Sequence, residues 1–412
     1  MRFFSNPMLA LVTGGFFLMF IAALIVAYPK ESLNAAVFGL SVWWDVLFPA
    51  LFPFFVVSEL MLGFGIVHFA GTLLDPMMRP LFRVPGAGGF VMAMGFASGY
   101  PVAAKLTGQL WDAGLVNRKE SERLIAFSTT GDPIFLIGAV AVGFFHDASL
   151  ALILAVSHYG GAVLVGLLLG LRAGKEPPGL GFNIPPGPKT SIGGRAFEAM
   201  HRARLADTRP FGKLLLDGIQ SGLRLMIVVG GLVVFFSVVI QVLTLANLIG
   251  VIQAGIGSLL AFVSIPAPLS AAVVNGFFEV TLGAKAAGQS FPGANAQAQV
   301  AVASFGLAWA GLSVHAQIMS LISHMPVRYA PFAAARFAHG TISALIAYFS
   351  WDALSALRSA APAWLPATGF SSGQEALQTL FPVSAALFFG VFLIIFVLYA
   401  AYRAIRLFFS KV

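Results

Sequence analysis

The chain has 412 residues, of which 58% are hydrophobic and 10% charged, with a mean hydropathy of +0.90 and a formal net charge of +8. Several apolar runs of about 18 or more residues exclude a soluble globular protein and predict a polytopic helical membrane protein, and their continuous apolarity argues against a membrane β-barrel. The basic residues lie in loops beside the predicted spans, so the positive-inside rule explains the charge better than nucleic-acid binding does.

The first half of the chain is predicted to contain both continuous and interrupted apolar segments. Residues 1–34 contain a retained N-terminal transmembrane helix, and a short loop leads to an apolar run at 41–66 that prolines interrupt. Residues 68–85 carry charges and three prolines and are predicted to lie at the membrane interface. Residues 86–104 are short for a crossing, and the Ser-Gly-Tyr-Pro sequence at 98–101 is typical of the tip of a re-entrant hairpin.

The segments after this hairpin alternate in polarity. Residues 105–123 are predicted to form a solvent-facing amphipathic helix. Residues 124–145 are predicted to span the membrane as a helix broken at the Thr-Thr-Gly-Asp-Pro sequence of 129–133, and residues 150–171 form a full span. The basic, proline-rich segment 173–213 is predicted to be a cytoplasmic linker between two halves.

The second half is predicted to follow the same order of segments. They are a span at 223–245, a short or interfacial segment at 250–264, a re-entrant segment at 267–285, a broken span at 300–322, a span at 329–350, an outer loop at 351–379 and a final span at 380–402.

Four residues of the first half recur in the second half at a fixed offset of 180 positions. They are Lys105, Gly108, Gln109 and Gly131, which correspond to Lys285, Gly288, Gln289 and Gly311. Duplication is the simplest cause, with repeats at 35–172 and 214–350, followed by an outer loop and C-terminal helix at 351–412. An odd number of crossings in each half would invert the repeats and place both termini in the cytoplasm. Paired interrupted segments at matching positions of two halves point to a transporter site at the bilayer midplane.

The candidate site residues are polar groups inside these interrupted segments, where an ionisable residue is a functional hypothesis by default. The predicted substrate-binding residues are Ser98, Gly99, Tyr100, Lys105, Thr129, Thr130, Asn275, Thr281, Ser313, His315 and Gln317. Asp132, Glu279 and Glu59 are predicted to serve a coupling ion or proton. Half-helix N-termini and hydroxyls are predicted to hold a substrate anion, with the tips at 98–101 and 275–281 facing each other. The alternatives are a simple helix kink at each break and an interfacial anchor for Lys105.

Enzyme chemistry is not predicted. The sequence lacks Cys, a His-Glu-x-x-His zinc motif and a phosphate-binding loop. His158 and His339 occupy matching places in the two halves, and a helix-packing role is favoured for them over metal binding. No cofactor or metal is therefore expected, and the coupling ion is left open between Na⁺ and H⁺.

Three segments carry a family resemblance. Leu47–Phe55, Ala97–Lys105 and Gly311–Gln317 resemble the YlbJ family of sporulation integral membrane proteins, also called stage V sporulation protein V, and the resemblance covers nearly the whole chain. That family belongs to the nucleoside-recognition or Gate-domain group. The resemblance implies an all-α fold of two inverted repeats with re-entrant hairpins and broken helices, similar to concentrative nucleoside transporters. Asp132 departs from the Asn or Ser that family members commonly carry nearby, which favours a coupling cation or proton there.

The resemblance also implies a function. It implies an endospore-forming bacterium and a secondary transporter that moves dipicolinic acid from the mother cell across the outer forespore membrane. The expected partners are this small aromatic dicarboxylate and the lipid bilayer of the bacterial inner membrane or outer forespore membrane. The alternatives are a transporter of nucleosides or another small metabolite, and a non-transporting scaffold for spore-envelope assembly that binds through the basic linker. Polar residues concentrated at paired helix breaks favour transport, because a scaffold does not need them.

Overall fold

The computed structural model describes residues 7–173, 191–289, 295–354, 390, 393 and 395–403. Within these ranges all regular structure is helical. Three helices there are long and apolar enough to cross a membrane, and the number rises to five if each of two sharply bent helix pairs is one span. This architecture confirms the prediction of an all-α polytopic membrane protein.

The chain begins with apolar helices that are joined by sharp bends. They are α1 (Pro7–Ala27), α2 (Pro29–Ser41), a first π-helix (Val42–Leu47), α3 (Phe48–Gly63) and α4 (Ile66–Phe82). The loop predicted around Lys30 and Glu31 is wrong, because α2 starts at Pro29, whose fixed φ and missing N–H suit a helix start. The bend between α1 and α2 is 104°. The segment 68–85, predicted only as interfacial, is helical up to Phe82 in spite of two internal prolines.

The predicted hairpin is present as α5 (Ala87–Ser98) and α6 (Tyr100–Asp112). Gly99 separates them with a φ of +90° and a ψ of 177°, a conformation that only glycine adopts without strain. The 12 residues of α5 reach about 18 Å, well short of the ~30 Å of a bilayer core. The single solvent-facing helix predicted at 105–123 is wrong, because α6 is largely buried and ends at Asp112.

A broken helix and a long helix complete the first half. They are α7 (Arg118–Ser128), a second π-helix (Ile134–Phe144) and α8 (Ala151–Leu171). Asn117 and Glu120 form a capping box that starts α7, and the break at 129–133 falls where the sequence predicts it.

The connection between the halves contains a helix that the linker prediction did not include. This helix, α9 (Ile192–Ala206), packs against α4, where Ala196 is fully buried. Residues 174–190 lie outside the described ranges. The second half then begins with α10 (Phe211–Leu245), which is 35 residues long and starts twelve residues before the predicted span.

The second half repeats the order of helical hairpin, broken helix and long helix. Its helices are α11 (Leu248–Phe262), α12 (Ser270–Phe278), α13 (Val280–Gly288), α14 (Ala296–Trp309), α15 (Gly311–Leu321) and α16 (Tyr329–Phe349). Glu279 breaks the hairpin, and Ala310, with a φ of +75°, breaks the second helix. The predicted outer loop lies mainly outside the described ranges, whereas 395–403 of the final predicted span is helical.

Two side-chain contacts join the halves at one end of the molecule, and one of them is an ion pair. Asp112 at the end of α6 lies 3.3 Å from His324 after α15, and Glu122 of α7 lies 2.9 Å from Arg328 before α16. Burial would raise the pKa of the Glu122 carboxyl. The hydrogen bonds and the positive charge of Arg328 outweigh this effect, and Arg118 adds a further hydrogen bond, so the pKa of Glu122 lies below its ordinary value. The contribution of this pair to the free energy of unfolding is therefore fully present when the pH is above the ordinary carboxyl pKa. It is lost as the pH falls through the lowered pKa of Glu122 in the folded protein.

We predict that a double-mutant cycle with Glu122→Gln and Arg328→Gln gives a coupling free energy of about 1 kcal/mol at neutral pH, falling toward zero below roughly pH 4. Thermal unfolding of the purified protein in detergent measures it. The exposed Glu198–Arg202 pair within α9 is the matched control and should give less than about 0.5 kcal/mol. Equal coupling for the two pairs would contradict a link between the halves through Glu122.

Candidate functional site

The two broken helices are held together by one residue of α16. Arg336 is fully buried, and its Nη1 donates to the carbonyl of Thr129 at 2.5 Å. Its Nη2 donates to the carbonyl of Ala308. These carbonyls lie at the C-terminal ends of α7 and α14, where a helix leaves acceptors without intrahelical partners. A single guanidinium therefore donates a hydrogen bond to an unpaired carbonyl at each of the two helix breaks.

Helix dipoles explain how this charge is tolerated away from water. None of the ion pairs among the described residues includes Arg336. A helix C-terminus carries about half a unit of negative charge, so two C-termini together balance about one positive charge. The sequence reasoning missed Arg336, although an arginine in the middle of the apolar span 329–350 is a signal that could have found it.

Two histidines extend this contact to α8. Arg336 donates to His339 Nδ1 at 3.0 Å, so the His339 proton lies on Nε2, which donates to the carbonyl of His158 at 2.8 Å. The backbone N–H of Gly131 donates to His158 Nε2 at 2.9 Å. His158 is therefore neutral with its proton on Nδ1, which has no hydrogen-bond partner. Both histidines tie helices together around the first break.

Aromatic side chains tie each break to neighbouring helices. Tyr100, a predicted substrate residue, donates its hydroxyl to the carbonyl of Leu307 in the opposite half at 2.7 Å. Tyr159 donates to the carbonyl of Gly131 at 2.9 Å, and Trp309 Nε1 donates to the carbonyl of Phe277 at 3.0 Å. The tip of the first hairpin thus reaches the second half through Tyr100.

Two of the four half-helix N-termini are already occupied by carboxylates of the protein. Asp132 accepts the N–H of Phe135 at 2.9 Å, and Glu279 accepts the N–H of Leu282 at 2.8 Å. At the start of the second π-helix an acidic N-cap therefore occupies the N–H group that an anion would otherwise bind. Tyr100 interacts electrostatically with both carboxylates, which brings the two predicted coupling residues to one region.

The other two N-termini have no side-chain cap. They belong to α6, which starts after Gly99, and to α15, which starts after Ala310. These two helices pack against each other, and the Asp112–His324 pair joins their C-terminal ends, so they run in the same direction. Ser98 and Ser313 stand beside these starts, each 1% exposed, and their hydroxyls have no hydrogen-bond partner. This cluster, which we call the α6/α15 site, offers unsatisfied donors to an anion.

Other predicted site residues have structural partners instead. Thr129 donates to the carbonyl of Ile125 at 2.7 Å and Thr130 to that of Gly95 at 3.3 Å, and the role predicted for both in substrate binding stays a prediction. His315 contacts the Trp309 carbonyl at 2.9 Å.

The remaining predicted residues lie around these helices. Glu59, predicted as a coupling residue, forms an ion pair with Lys105 at 3.0 Å and accepts a hydrogen bond from Gln109 at 3.0 Å, so it links α3 to α6. Gln317 is buried on α15, and Asn275 and Thr281 are half-buried beside the second tip. That the two tips face each other stays a prediction.

Comparison with known proteins gives the family. A family model described as nucleoside recognition, named Gate, matches residues 45–167. The sporulation integral membrane protein YlbJ of Bacillus subtilis (strain 168) is 41% identical over 341 residues, which cover 82% of each chain. The chain therefore belongs to the YlbJ family, as the sequence predicts. No solved structure matches it.

We predict that Arg336→Met lowers the melting temperature in detergent, because two buried carbonyls lose their donor at about 1–3 kcal/mol each. Arg336→Lys should fall in between, since an ammonium lacks the planar fork that reaches two acceptors. Tryptophan fluorescence during heating measures the effect. The matched control is Arg224→Met on α10, an exposed arginine within a span, which should change little. An unchanged melting temperature for Arg336→Met would contradict the role of Arg336.

Proposed function

We propose that this member of the YlbJ family is a secondary transporter that moves a small aromatic dianion, dipicolinic acid, across the outer forespore membrane during sporulation. Two lines support the proposal. The relative from Bacillus subtilis is itself described as a sporulation membrane protein. The α6/α15 site combines two uncapped helix starts with two unpartnered hydroxyls. This second observation carries the proposal, because such donors suit an anion.

The charges around the site favour a carboxylate ligand. Each uncapped helix start carries about half a positive charge, and the two together match about one carboxylate. Tyr100 and His158 add aromatic surface, with ring centroids 6.5 Å apart. The matched family model carries the description nucleoside recognition, which makes a nucleoside the second candidate. A neutral nucleoside has no charge for these helix starts to bind, so the dianion is preferred.

The packing of the ends supports an inverted arrangement of the two halves. Glu122 near the start of α7 contacts Arg328 at the start of α16. Gln297 at the start of α14 instead donates to the carbonyl of Tyr348 at the end of α16. The equivalent helices α7 and α14 thus begin at opposite ends of α16. In this proposal a central site is reached alternately from the two sides, which is transport and not catalysis.

Orientation and coupling complete the proposal. The end with Glu122 also holds α9 and most of the basic residues, so it is assigned to the cytoplasm together with both chain termini. Asp132 and Glu279 serve the coupling ion, H⁺ or Na⁺, because carboxylates that lie with Tyr100 near an anion site must be neutralised when a dianion enters.

We predict that Ser98→Ala and Ser313→Ala each weaken dipicolinate binding about fivefold, because each removes one donor worth about 1 kcal/mol. Calorimetric titration of the purified protein measures this, and dipicolinate content of spores carrying each variant provides the cellular readout. Ser128→Ala is the matched control, since its buried hydroxyl already donates to the carbonyl of Leu124 and should leave affinity unchanged. Binding of nucleosides in place of dipicolinate would favour the second candidate, and no binding of either would favour a scaffold.

We predict that single cysteines introduced at exposed Ala113 and His146 react with an impermeant thiol reagent from opposite sides of the membrane. The chain has no Cys of its own, so each label reports one position. Ala113 follows α6 at the end of the molecule that contains Glu122. His146 follows the second π-helix at the opposite end. Labelling of both positions from one side would contradict the inverted arrangement.

A further inference from the structure

We infer that the Glu279 carboxylate lies where the second carboxylate of a dicarboxylate substrate binds. Glu279 must therefore take up one proton for each dicarboxylate that binds. This inference rests on the proposed function and specifies how the ligand and the coupling ion depend on each other.

The two hairpins differ at one equivalent position. In the first hairpin Gly99 precedes the second helix and leaves its start uncapped. In the second hairpin Glu279 precedes the second helix, and its carboxylate accepts the N–H of Leu282 at 2.8 Å. Glu279 is 7% exposed, and its carboxyl group has hydrogen-bond partners at this helix start, in Leu282 and Thr281. The second hairpin is therefore an anion site that already contains an anion.

A groove gives access to this helix start. It has a volume of about 290 Å³ and lies between α2, α10 and α13. Leu282, whose N–H binds Glu279, lines the groove together with Phe38 and Glu31. Lys285 lies one turn further along α13, with its Nζ 6.0 Å from the ring centroid of Phe38. The groove therefore gives a proton a route to the first turn of α13.

The exchange follows from charge balance. One carboxylate of the ligand binds the α6/α15 site, and the other would meet the Glu279 carboxylate, which repels it. A buffer acid in solution gives a proton to Glu279, which forms an O–H bond and leaves the conjugate base of the buffer, and the neutral acid releases the N–H of Leu282. The second ligand carboxylate accepts that N–H. A ligand with only one carboxylate fills the α6/α15 site alone and needs no proton.

Other charged groups surround Glu279 and set the background for this exchange. They are Tyr100 on α6, Asp132 before the second π-helix, His315 on α15, Arg336 on α16, Lys285 on α13 and Glu31 on α2. Helices α12 and α14, which also pack on α13, carry no ionisable side chain. Asp132 and Glu31 are thus the competing carboxylates, and a variant of each must be measured in parallel.

The test is calorimetric titration of the full-length protein with dipicolinate and with its monocarboxylate analogue picolinate, over a range of pH and in buffers of different ionisation enthalpy. We expect wild type to take up about one proton per dipicolinate and to lose affinity about tenfold for each unit of rising pH. Glu279→Gln should bind dipicolinate with no proton uptake and no such pH dependence. Gln keeps an oxygen that can cap α13, so this variant should fold. Picolinate should bind without proton uptake in both proteins.

Asp147→Asn is the matched control. Asp147 also caps a helical turn, where it accepts the N–H of Ser149, but it is exposed and distant from the helix breaks. It should behave as wild type. Unchanged proton uptake in Glu279→Gln, loss of uptake in Asp132→Asn alone, or a requirement for Na⁺ in place of the proton would overturn the inference and leave the proposed function standing. Failure of wild type to bind either ligand would instead overturn the proposed function.

Discussion

The bond between one buried guanidinium and two helix ends is the constraint on which the centre of this protein depends. A helix that breaks inside a membrane exposes carbonyls that lipid cannot satisfy, so each break needs a donor from the protein. Arg336 supplies that donor to Thr129 and Ala308 together, and the two breaks must therefore stay within the reach of one side chain. The helix ends supply the opposite charge, so no carboxylate is required beside it. The two halves consequently meet at a fixed point around Arg336, Thr129 and Ala308, which we call the crossing. The remaining polar groups are placed relative to it.

Four half-helices start at this crossing, and they fall into two pairs with opposite electrostatic character. The pair α6 and α15 has no side-chain cap and holds unpartnered hydroxyls at Ser98 and Ser313. The second π-helix and α13 pack together and are capped by Asp132 and Glu279. The two hairpins supply α6 and α13, and the two broken helices supply α15 and the second π-helix. Each pair therefore contains one helix from a hairpin and one helix from a broken helix. The residues at the cap positions are enough to give one pair without side-chain caps and one pair that bears carboxylates.

The sequence predicted the breaks well because glycine and proline act locally, and Gly99 and the 129–133 segment break the helices where expected. It predicted helix extents poorly where a distant partner decides them. Lys105 looks like the start of a surface helix, but Glu59 on α3 neutralises it and allows α6 to remain buried. Likewise, no local pattern indicates that the hydroxyl of Thr130 binds the carbonyl of Gly95, or that Arg336 serves two breaks. Those facts depend on tertiary contacts between segments far apart in sequence.

The contacts at the two ends of α16 are of different kinds, and this difference bears on how a central site opens. At the end with Arg328 the halves are joined by the Glu122–Arg328 ion pair and by the contact of Asp112 with His324, which water can replace when they separate. At the other end Gln297 donates an uncharged hydrogen bond to Tyr348 within the second half, and a groove already reaches the first turn of α13. The bonds of Arg336 lie between these ends, buried and without access to replacement water. Breaking the exposed ion pairs costs far less than separating Arg336 from its carbonyls. Motion that opens the charged end is therefore expected to pivot about the Arg336 contact and not to disrupt it.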